Sequence, residues 1–107
     1  MWTFVTIIEG NMKRRREPTT PGEILRDEFL VPLGMTQKEL ADHIGSDVKV
    51  INRIVNGRTS VSAEMALRLG ATFRTSPEFW LNAQNAVDLF RAGNRVPNLP
   101  APVLKAS

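Results

Sequence analysis

The chain of 107 residues predicts an all-α fold of five short helices. Three observations carry that reading. Start signals recur at Thr20, Thr36, Ser62 and Ser76, each a good N-cap followed by Glu or Pro in the first turn. Apolar residues behind each start return at helical spacing. Glycine or proline then interrupts the repeat before the next start.

Taken in order, residues 2–8, Trp-Thr-Phe-Val-Thr-Ile-Ile, are β-branched and aromatic. They fit either a short strand or a non-essential extension. Met12, just before the basic run Lys13–Arg16, offers an alternative start. That run suits contact with phosphates and equally plain solvation. Residues 1–17 are therefore set apart as an N-terminal extension, 18–92 as the folded domain and 93–107 as a loose Pro-rich tail.

Thr20-Pro-Gly-Glu23 is a capping box with Pro21 at the first helical position. Ile24, Leu25 and Phe29 share one face of that first helix, and Pro32 with Gly34 ends it. Thr36 and Glu39 make a second capping box, and Met35 with Leu40 fits a hydrophobic staple. Leu40, Ala41 and Ile44 repeat at helical spacing up to Gly45, which suits the left-handed stop of a sharp turn. Ser46 is expected to cap the third helix, which Gly57 closes after Asn56. Ser62 caps a fourth helix with Met65, Ala66, Leu69 and Phe73 inward. Ser76-Pro77-Glu78 starts a fifth, which is apolar nearly all round.

The second and third helices, with Gly45 between them, have the form of a helix-turn-helix. At roughly 100° per residue, Val50, Ile51, Ile54 and Val55 fall on one side of the third helix. Val48, Lys49, Asn52, Arg53 and Asn56 fall on the other. Arg and Lys donate to guanine and Asn pairs with adenine, so this face suits the DNA major groove. A charged outer face is more often merely solvated, but here capping box, turn glycine and apolar positions are all in register with it. Val48, Lys49, Asn52 and Arg53 are the expected base readers. Arg58, just past the helix, is the expected holder of a phosphate, and the helix starts, Ser46 among them, face the backbone.

A fifth helix apolar on more than one side needs cover from the core or from a second copy. The expected dimer surface is Phe79, Trp80, Ala83, Val87 and Phe90, with simple core packing as the alternative. Two-fold helix-turn-helix readers commonly work as dimers.

Composition bounds the remaining choices. Net charge is +3, which suits a polyanionic partner without deciding for one. There is no cysteine, so disulfides and thiolate metal sites are excluded. No segment has the apolar length of a membrane span, and the N-terminus lacks the pattern of a secretory signal, so a cytoplasmic protein is expected. His43 stands alone, Asp27 and Glu28 are adjacent and so diverge on a helix, and no nucleophile–base arrangement appears. The expectation is a non-enzyme with no catalytic residue, no metal, no cofactor and no small-molecule substrate.

The run Thr36-Gln37-Lys-Glu39-Leu40-Ala41, Ile44-Gly45 and Ile51-Asn-Arg-Ile54-Val-Asn56-Gly57 resembles the Xre/Cro group of lambda-repressor-like domains. More narrowly, Pro21-Gly22-Glu23 and Ser76-Pro-Glu-Phe-Trp-Leu-Asn82 are similar to the HigA (VapI-like) antitoxins. The similarity runs from about Pro18 to Arg91. It implies a homodimer on a palindromic double-stranded operator that represses its own operon and silences a HigB-like mRNA endonuclease toxin. It also implies phosphate contacts for Gln37 and Asn56, and base-facing positions for Val48, Lys49 and Arg53. An apolar Val48 suits a thymine methyl or plain packing, and Asp47 suits the helix dipole or a cytosine. Two other readings stay open: a solitary Xre-type repressor, and an interaction module of the same fold without DNA binding.

Overall fold

The computed structural model describes residues 16–104, and the stretch 2–8 read as strand or extension, Met12 and Lys13–Arg15 lie outside them. Among the described residues five helices follow one another and no strand occurs. Helix α1 starts as Pro21–Ile24, widens into a π-helical stretch Leu25–Leu30 and finishes as Val31–Leu33. The others are α2 (Gln37–Ile44), α3 (Val48–Val55), α4 (Ala63–Phe73) and α5 (Pro77–Arg95).

The start signals act as expected. Thr20 Oγ1 accepts from the Glu23 N–H at 3.1 Å while Glu23 Oε1 accepts from the Thr20 N–H at 2.9 Å. Thr36 and Glu39 repeat the reciprocal pair at 3.0 and 2.8 Å. Ser62 and Ser76 accept from Met65 and Phe79, both at 3.1 Å. Gly45 turns the chain between α2 and α3 at φ 71°, where a side chain would be strained. Three boundaries differ from the sequence reading. Pro32 lies inside α1, not at its end. The Val31 N–H reaches back to the Arg26 carbonyl, five residues away. That wider turn makes room for a ring that would crowd the carbonyl four residues before it. Asp47, not Ser46, caps α3, its carboxylate accepting from the Lys49 N–H at 2.8 Å. Helix α5 runs through Gly93 to Arg95, past the expected boundary at 93.

One core joins all five helices. Leu25, Leu40, Ile51, Ala66, Leu69 and Trp80 are wholly buried, with Ala41, Ile54 and Val61 almost so. Phe29, Phe73 and Trp80 stack as a triad from α1, α4 and α5, with centroids 4.6, 5.5 and 6.4 Å apart. The Trp80 indole N–H donates to Thr75 Oγ1 at 2.7 Å, so its one polar atom is satisfied. Helix α1 crosses the end of α3 at Gly22, where a Cβ would lie 2.0 Å from the Ile54 carbonyl oxygen. That crossing presses the back of α3 against the domain and turns its other face outward.

Candidate nucleic-acid interface

Helix α3 is eight residues long and divided by burial. Ile51, Ile54 and Val55 are buried, and Val48 and Val50 are half-buried against the same core. Lys49, Asn52, Arg53 and Asn56 are exposed. Val48 therefore stands at the edge of the outer face, partly packed.

Helix α2 brings one more residue to this face. Gln37, its first residue, joins Val48, Lys49, Asn52, Arg53 and Arg58 in lining one open concavity. Six of the eight residues expected to touch DNA thus share one surface. The other two stand beside it. Asn56 is joined to it through Asn52, and Ser46 is half-buried in the turn, its hydroxyl 3.4 Å from the Asp47 carbonyl.

The electrostatics of the concavity are those of uncommitted cations. Among the described residues, the ion pairs are Arg26–Asp27, Lys38–Asp42, Arg68–Glu64 and Arg91–Glu17. None involves Lys49, Arg53 or Arg58, whose side chains also have no hydrogen-bond partner among those residues. No Asp or Glu lines the concavity, and Asp47, at the start of α3, is committed to capping that helix. Three cations beside amides, with no neutralising carboxylate, suit a polyanion that also presents base edges.

One feature of the face was not foreseen. Asn56 Nδ2 donates to Asn52 Oδ1 at 3.2 Å, and Asn52 Nδ2 donates to Gln37 Oε1 at 3.1 Å. The three amides form a ladder from the end of α3 to the start of α2. Sequence separation hid it, since 37 and 52 meet only once the turn has closed.

The surface expected for a second copy needs correction. Trp80 is 0% exposed and Val87 1%, so both side chains belong to the core of the domain and offer no surface to a second copy. Trp80 is taken by Phe29 and Phe73, and Val87 lies on the same inward line of α5. Ala83 and Phe90 are half-buried, and Phe79 is 40% exposed, its ring edge-on to Trp80. The outward line of α5 is instead Phe79, Asn82, Ala86, Leu89 and Gly93, at alternating spacings of three and four, with Leu89 73% exposed. Gln84 was also missed. It is buried on the inward line, its Oε1 accepting from the Val61 N–H and its Nε2 donating to Asp88, both at 3.0 Å.

Among the described residues no cluster of His, Asp or Glu could hold a metal ion, and His43 is exposed at the end of α2. No described helix is long and apolar enough to cross a membrane. The resolved shifts in carboxyl pKa lie away from the concavity. A hydrogen bond from Arg91 holds Glu17 below its usual value, and one from Arg26 does the same for Asp27.

The chain is similar to known helix-turn-helix proteins. A helix-turn-helix family model matches residues 25–80. The chain is 42% identical over 83 residues to antitoxin HigA-1 of Vibrio cholerae, covering 78% of each. It is 41% identical over 81 residues to YbaQ, an uncharacterized HTH-type transcriptional regulator of Escherichia coli, covering 76% of this chain and 72% of that one. Among solved structures it resembles Pseudomonas aeruginosa antitoxin HigA with the higBA promoter at TM-score 0.75 and 38% identity, covering 82% of this chain and 100% of that one. Antitoxin GraA in complex with its operator is similar at TM-score 0.74 and 39% identity, covering 86% and 98%.

Proposed function

The chain belongs to the HigA-like antitoxins of the helix-turn-helix family, and we propose that it binds a palindromic operator, represses its own operon and neutralises a HigB-like mRNA endonuclease toxin. The observation that carries the DNA half is the concavity of Gln37, Val48, Lys49, Asn52, Arg53 and Arg58, with its three cations unpaired among the described residues. Helix α3 enters the major groove. Lys49 and Arg53 donate to base edges, Asn52 reads a third base and Val48 meets a thymine methyl at the rim. Arg58, Ser46, Asn56 and the Gln37 end of α2 hold phosphates on either side. The relatives solved with promoter or operator DNA support this reading.

A homodimer presents two such helices roughly 34–36 Å apart, one helical turn of DNA. Its interface is the outward line of α5, from Phe79 through Ala86 to Leu89. The toxin half rests on kinship alone. Similarity to an HTH-type regulator keeps a solitary repressor as a second reading, and a short basic reading frame beside the gene separates the two.

The test is a titration of the purified protein against DNA from upstream of its own gene at several salt concentrations. The logarithm of affinity should fall linearly with the logarithm of salt, by about 0.9 per phosphate contacted. A flat profile, or equal affinity for unrelated DNA, overturns the proposal.

A further inference from the structure

We infer that Gln37 and Asn56 are positioning residues which restrict the Asn52 amide to reading a single adenine. The inference rests on the DNA-binding reading above and adds to it the identity of one base and the means of choosing it. A free Asn amide is ambivalent, with two N–H donors and two lone pairs on its oxygen. In that state it can offer two donors to the N7 and O6 acceptors of guanine, or one donor and one acceptor to adenine. The ladder removes the choice. One Asn52 N–H is spent on Gln37 Oε1 and one Asn52 lone pair on the Asn56 amide. What remains is one donor and one acceptor. Adenine takes that pair, its N7 accepting and its N6–H₂ donating, whereas guanine needs a second donor that Asn52 no longer has.

The count does not depend on which way the ladder runs. With all three amides flipped, Asn52 donates to Asn56 and accepts from Gln37, and the same pair remains. Helix packing holds the ends of the ladder in place. Gln37 is fixed at the first turn of α2 by the Thr36–Glu39 box, and Asn56 at the end of α3, where its N–H donates to the Asn52 carbonyl at 3.0 Å. Lys49 and Arg53, by contrast, have no partner among the described residues and keep their donors free for guanine or phosphate.

The experiment measures affinity of the full chain for operator duplexes substituted one base pair at a time. The position at which Asn52→Ala abolishes discrimination identifies the base that Asn52 reads. It should be an adenine, and replacing it with 7-deazaadenine, which lacks the N7 acceptor, should weaken the native protein and leave Asn52→Ala unmoved. Two variants then separate positioning from phosphate contact. Gln37→Met removes every polar group of that side chain, whereas Gln37→Glu keeps an acceptor for Asn52 but gives up the phosphate donor. Both should lower affinity. Only Gln37→Met should lower the preference for adenine over guanine, by about tenfold or more, while Gln37→Glu retains it. Thermal melts establish that both variants are folded. The inference is overturned if Gln37→Met keeps the native preference, if Gln37→Glu loses as much as Gln37→Met, or if Asn52→Ala changes no position. Failure of the native protein to distinguish operator from random DNA removes the DNA-binding reading itself, and the inference with it.

Discussion

Helices α3 and α5 both carry many apolar residues, yet only one of them has an outer face that follows from spacing. Helix α3 has eight residues and a single apolar stripe, so whatever lies opposite Ile51, Ile54 and Val55 must face outward. Helix α5 has nineteen residues and two apolar lines. Periodicity put Phe79, Ala83, Val87 and Phe90 on one side, whereas the buried line is Trp80, Gln84 and Val87. A polar residue inside the true core line, satisfied there by Val61 and Asp88, disguised it. Spacing shows that a helix is amphipathic. Which of two apolar lines the core takes depends on partners on other helices, here Phe29 and Phe73.

The largest effect expected from this contrast is at the inward line. Trp80→Ala should cost about 3–5 kcal/mol of stability in denaturant melts, because it empties the aromatic triad. Leu89→Asp, on the outward line of the same helix, should leave the fold intact and shift the protein from dimer to monomer in light scattering. A stably folded monomer from Trp80→Ala, with Leu89→Asp still dimeric, would reverse the assignment of the two faces.

Gln84→Leu sharpens the same point. It orphans the buried Val61 N–H, so it should cost about 1–3 kcal/mol despite being an apolar substitution in a core. Equal or greater stability would mean that the inward line is hydrophobic in effect after all.

The smallest effect lies where the N-terminal segment meets α5. Arg91 hydrogen-bonds both oxygens of Glu17 and lowers its pKa. A carboxyl lowered in the folded state adds stability above its unfolded pKa, and loses it as pH falls through the folded value. Melts between neutral and acidic pH should therefore show a small loss that Glu17→Gln abolishes. The pair is substantially exposed, which keeps the effect modest. An identical pH profile in the variant would show that the pair contributes nothing.

Much of the architecture was legible because its signals are local. The boxes at Thr20 and Thr36, the glycine of the turn and the stripe Met65, Ala66 and Leu69 all act within four residues of one another. The concavity was legible in its members but not in its internal bonding. Gln37 and Asn52 become neighbours only through the turn at Gly45, and the ladder depends on that closure. The cap at Asp47 was assigned to Ser46 because both side chains can cap, and the backbone alone decides between adjacent candidates. Likewise, Arg74 ends α4 in the left-handed region at φ 58°, where glycine is the usual signal.

The central claim is that the outer side of α3 reads base pairs, and Arg53 tests it most directly. Arg53→Ala should reduce operator affinity at fixed salt by about 1–3 kcal/mol and relax the preference at one base pair. Unchanged affinity and unchanged preference across substituted operators would contradict it.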